Sequence, residues 1–138
     1  MSSGRADHLV QFLRREAGDY LRAALHYSAD DHEVLYVRDD VRDEYSDEEL
    51  AAFVAYYRER SRELAPERPF DLGTDHCTVS VYDTAILFHF TQGTDIGTVV
   101  TLAPEAGRDI VQFITECLEQ LYHNSPQEID DVPAWLRP

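Results

Sequence analysis

Apolar positions change their period several times along the chain, and each change marks an element. From Arg5 to Ala17 the residues Leu9, Val10, Phe12, Leu13 and Ala17 recur at helical spacing, with Gly18 placed to end the helix. Tyr20 to Tyr27 then alternates as a strand does, setting Leu21, Ala23, Leu25 and Tyr27 on one face and Tyr20, Arg22, Ala24 and His26 on the other. Ser28 to Asp31 supplies turn formers, and Glu33 to Arg38 reads as a second strand, so the two form a hairpin. Asp39 to Tyr45 reads as a charged loop.

Ser46-Asp47-Glu48-Glu49 is a capping box, in which the Ser46 hydroxyl accepts from the Glu49 amide and the Glu49 carboxylate accepts from the Ser46 amide. A helix follows. Leu50, Phe53, Val54, Tyr57, Ser61 and Leu64 recur along its apolar side, Ala51, Ala52 and Ala55 add a flat patch of small residues, and Pro66 and Pro69 forbid its continuation. His76 to Thr91 holds two alternating runs around Asp83-Thr84. Their register pairs Cys77 with Phe90, Val79 with Phe88 and Val81 with Ile86 on one apolar face, leaving Thr78, Ser80, Tyr82, Leu87 and His89 on the other. A connection from Gln92 to Gly97 leads to a fifth strand, Thr98 to Leu102. Pro104 opens a last helix with Ile110, Val111, Phe113, Ile114, Cys117, Leu118 and Leu121 on its apolar face, ending near His123.

These elements predict an α/β (α+β) fold of order α-β-β-α-β-β-β-α, a three-layer α-β-α sandwich around a five-stranded, mainly antiparallel sheet. Residues 1–123 form the single domain, and 124–138, with three prolines and the only tryptophan, Trp135, form a C-terminal tail. An exposed tryptophan is wasteful, so Trp135 is expected to dock, on its own domain or on a partner. The element order over residues 5–123 resembles the roadblock/longin-like branch of the profilin-like folds. Separately, the stretch from Gly18 to Val41 is similar to an uncharacterised family of small haloarchaeal proteins, which supplies no activity to carry over.

Charge alters the picture most. Twenty-seven acidic residues face 12 basic ones, a net charge of -15, and every basic residue is arginine. At molar salt the Debye length is about 3 Å, so such self-repulsion is tolerable there and severe in dilute buffer. This suits a salt-accumulating cytoplasm. The acidity is thus expected to be a solvated surface, and nucleic acid is an unlikely partner. The polar start of the chain carries no secretory pattern and no apolar run is long enough to span a membrane, so a cytoplasmic location is expected.

Candidate chemistry is sparse. His26 and His32 with Asp30 and Asp31 are the closest approach to a metal set, but all are turn or strand residues without a further ligand nearby, and neither metal nor cofactor is expected. Cys77 and Cys117 fall on apolar faces, where thiols are inert, and His76 points away from Cys77 because adjacent strand residues face opposite sides. His89 is expected to pack under the second helix. No phosphate loop, nucleophile elbow or zinc-protease motif occurs.

The leading expectation is therefore a non-catalytic regulatory or scaffold module. As the roadblock resemblance implies, it would pair with a second copy through the second helix and the edge of the third strand, with Ala51, Ala52, Ala55 and Tyr56 at the seam. Tyr56-Tyr57-Arg58, Arg60, Arg62 and Arg68 gather four arginines near that helix's end. They either offset its dipole and pair with Glu59, Glu63 and Glu67, or offer Arg58 and Arg62 to an unidentified acidic protein partner or RNA. The alternative is a small-ligand sensor with its pocket between the second helix and the sheet face bearing Tyr82, His89 and Arg22. An enzyme with an unmarked site is a third reading.

Overall fold

The computed structural model describes residues 4–63, 72 and 75–110. Its elements are helix α1 (Gly4–Ala17), strands β1 (Leu21–Tyr27) and β2 (His32–Val37), the short helix α2 (Asp39–Arg42), helix α3 (Asp47–Glu63), and strands β3 (Cys77–Val81), β4 (Ile86–Gly93) and β5 (Ile96–Leu102). Pro104–Gly107 make a 3-10 turn leading into helical residues 108–110. The expected continuation of that helix, with Cys117, and the tail with Trp135 lie outside the described residues, as does the segment carrying Pro66, Arg68 and Pro69.

Among the described residues all strand pairings are antiparallel, in the order β2-β1-β5-β4-β3, which makes β5 central and β2 and β3 the edges. Neighbouring residues of β5 show the layering, because side chains alternate between sheet faces. Val99 joins Leu25, Tyr27, Leu87, Val54 and Tyr57 in the core under α3. Val100 joins Leu21 and Ala24 in the core under α1, to which Leu13 and Ala17 contribute. Helices thus cover both faces of a five-stranded sheet.

Strict alternation sets the β3–β4 hairpin, whose register has Cys77 opposite Phe90, Val79 opposite Phe88 and Val81 opposite Ile86. β1 is different. Its pairing with β5 shifts between Leu21 and Ala23, making Arg22 the extra residue of a bulge. The bulge reverses the phase of the strand, so Leu21 packs with Ala24 under α1 rather than with Leu25 and Tyr27 as simple alternation requires.

Three smaller departures are local. The charged stretch after β2 is not all loop: α2 forms there and buries Val41, the one aliphatic residue of the run. The β4–β5 connection is tighter than expected, with β4 running to Gly93 and β5 starting at Ile96. Asp95 supplies a left-handed φ of 64°. Phe12, expected on the apolar side of α1, is half exposed.

Candidate functional site

α3 packs on its sheet face through Val54 and Tyr57, with Leu50 and Phe53 against the same core. Between α3 and the strands is a cleft of about 680 Å³, within the range of small-molecule sites. Arg22, Leu25, Val34, Leu87, Val99 and Thr101 form its floor, and Leu50, Phe53, Tyr56 and Tyr57 of α3 form its roof. Val41, Tyr45 and Tyr82 close its sides. The roof is held by the predicted capping box: Glu49 N donates to Ser46 Oγ at 3.1 Å, and Ser46 N donates to Glu49 Oε1 at 3.2 Å. Val41 and Arg42 of α2 are among the lining residues.

Beside the cleft, polar side chains are built into the layer under α3. Tyr57 Oη lies 3.0 Å from Tyr82 Oη, and burial, together with that hydrogen bond, pushes the Tyr57 pKa well up. Tyr27 Oη lies 2.7 Å from His89 Nε2, and the Tyr57 ring packs edge-on against His89 at a centroid distance of 5.0 Å. His89 is 1 % exposed and its Nδ1 has no hydrogen-bond partner among the described residues. Burial, and after it the charge of Arg60, lowers the His89 pKa, with Asp75 acting in the opposite sense. Burial likewise raises Tyr27, opposed by the Ser61 hydroxyl and Arg58. Both groups are therefore neutral near pH 7. His89 packs under the helix, as expected, but it does not line the cleft, whereas Tyr82 and Arg22 do.

The residues expected at a self-association seam sit on α3 with Ala51, Ala52 and Ala55 exposed and Tyr56 half exposed. Ala52 and Tyr56 also line the cleft. Arg58 and Arg62 spend their guanidinium groups inside the chain. Arg58 Nε and Nη2 donate to the carbonyls of Ser28 at 2.7 Å and Asp31 at 3.1 Å, fastening α3 to the β1–β2 turn. Arg62 Nε donates to Asp95 at 2.5 Å and its Nη1 to Glu59 at 2.9 Å, fastening α3 to the β4–β5 turn.

The thiol and imidazole candidates are dispersed. His26 Nδ1 is hydrogen-bonded to Thr98 Oγ1 at 2.7 Å, while Asp31 accepts from the His32 amide at 2.7 Å, a turn role. Among the described residues no three His, Cys, Asp or Glu side chains gather to hold a metal. Cys77 shares the Val79–Phe88 face, yet it is exposed rather than buried, because it starts an edge strand. The packing around the thiol, and then the Asp75 charge, raise its pKa and so favour the protonated form.

A family described as Domain of unknown function (DUF7522) matches residues 7–122. The chain belongs to the DUF7522 family. No curated protein matches it. The DUF7522 match spans β1 to β5 and α3, hence the whole cleft, and excludes Trp135. Among the described residues of this DUF7522 chain, no helix is long and apolar enough to cross a membrane.

Sequence reasoning missed Val34, Val41, Tyr45, Leu50 and Thr101 as members of one site. They come from five separate segments, and no periodicity links them. Tyr45, an aromatic within a charged run, was the one available signal.

Proposed function

We propose that this DUF7522 domain is a small-ligand-binding sensor module whose ligand occupies the cleft between α3 and the sheet. The cleft itself carries the reading. Its walls are mostly apolar, a few polar groups converge on it, and its volume of about 680 Å³ suits a metabolite-sized molecule. The Tyr57–Tyr82 hydrogen bond ties the roof to the β3–β4 connection, a path by which occupancy can move α3 relative to the sheet. The reading is of binding rather than catalysis, because His89, the buried imidazole of this layer, is sealed under Tyr57 and does not line the cleft. The net charge of -15 without lysine supports work in a salt-rich cytoplasm, as in halophilic archaea.

Amide chemical shifts recorded in molar KCl during titration with the uncharged probe 4-phenylbutanol test this reading. Shifts that saturate together at Ala23, Leu50, Ala52 and Thr101, leaving Leu13 and Ala17 unmoved, are expected. A uniform drift without saturation would dismiss it.

A second reading, a regulatory scaffold that pairs with its own copy, is favoured by the solvent-facing Ala51 and Ala55 of α3 and by the position of β3 as an edge strand among the described residues. Small residues let two helices approach closely. A mass in molar salt corresponding to two chains by light scattering, reduced to one by Ala55→Arg, would support it, and a monomer at high concentration would remove it.

A further inference from the structure

The cleft contains a cation that its own walls leave incompletely paired. Arg22 is the bulged residue of β1, and bulges re-aim side chains. Here the bulge places it on the floor beneath α3 instead of on the α1 face. Its side chain is only 11 % exposed, and its ion pair with Glu44 spans 3.7 Å to a carboxylate that is itself 52 % exposed. Arg38, Arg58 and Arg62, by contrast, hold hydrogen bonds of 2.5 to 3.1 Å to carboxylates and carbonyls. Withdrawing a guanidinium from water is unfavourable unless its planar fork of donors is matched.

Resting on the cleft as a ligand site, we infer that Arg22 anchors the carboxylate of a small, otherwise apolar acid. The fork pairs with both carboxylate oxygens, as arginine does wherever planar bidentate recognition matters. The apolar body lies between Leu25, Val34 and Val99 below and Leu50 and Phe53 above. A monocarboxylate fits better than a phosphate because Asp47 and Glu49 line the same cleft and Glu44 stands beside Arg22, so a second negative charge meets repulsion with no second buried cation among the described lining residues to offset it. Arg42, the other cation on the wall, is largely exposed and pairs with Asp39.

The test compares 4-phenylbutanoate with 4-phenylbutanol by calorimetry in molar KCl, on the full chain and on Arg22→Gln, Arg22→Lys and Glu44→Gln. The acid should bind the native protein at least about tenfold tighter than the alcohol, a preference that Arg22→Gln abolishes and Arg22→Lys, lacking the fork, largely loses. Glu44→Gln, altering a half-exposed side chain, keeps the fold and should tighten the acid about two- to fivefold by removing the competing carboxylate. Equal binding of acid and alcohol, or no response to Glu44→Gln, overturns the anchor while leaving the cleft as a ligand site. No binding of either probe overturns both.

Discussion

Tyr27 and Gly97 face each other across β1 and β5, and the aromatic ring occupies the space where any other residue at 97 would carry its β-carbon. That closeness lets the Tyr27 hydroxyl reach His89. Gly97→Ala should therefore destabilise by about 1–3 kcal/mol, the usual cost of overpacking, as read from denaturant unfolding at constant salt. Retention of native stability would mean that the ring is not held there. His89 gives a second prediction. Its folded pKa lies below the ordinary histidine value near 6.5, so below that pH the unfolded chain binds more protons than the folded one. Stability is fully present above about pH 6.5 and falls as pH drops toward the folded pKa. Between pH 7.5 and 5.5 the native protein should thus lose more stability than His89→Gln. Parallel slopes would show that His89 does not titrate differently on folding.

At the scale of elements, α3 decides whether the cleft exists, and its N-terminus is secured by Ser46 and Glu49. Ser46→Ala should cost about 1 kcal/mol, visible in unfolding, and should weaken any cleft ligand by loosening the roof. Unchanged stability would show that the cap is dispensable. This helix and the β3–β4 hairpin were legible in the sequence because each rests on a local rule, reciprocal capping in one and uninterrupted alternation in the other. β1 was legible as a strand but not in its facing: the bulge at Arg22 is fixed by the partner strand β5, some eighty residues on, and leaves no local mark. The site was legible only in Tyr82 and Arg22. His89, grouped with them by strand parity, is sealed under Tyr57 instead of opening onto the cleft. A gap between elements depends on how far apart they pack, and hydrophobic periodicity carries no such distance.

For the whole molecule the governing quantity is charge. With 27 acidic and 12 basic residues, self-repulsion opposes compaction at low ionic strength and is screened in molar salt. The melting temperature should rise steadily from 0.1 M to 2 M KCl, and a flat or falling curve would speak against salt adaptation. The same field acts on ligands. Acidic groups at the rim disfavour anions at a distance, while Arg22, mostly withdrawn from solvent, is screened less and acts at contact. Discrimination is therefore expected inside the cleft rather than during approach.

The central claim, that the cleft between α3 and the sheet is a binding site, is tested most directly by filling it. Val34 lines the floor yet is 39 % exposed, so Val34→Trp can occupy the space without disrupting the core. Binding of 4-phenylbutanol in molar KCl should be saturable at one site per chain for the native protein and absent for Val34→Trp at unchanged melting temperature. Equal binding by both proteins would contradict the account.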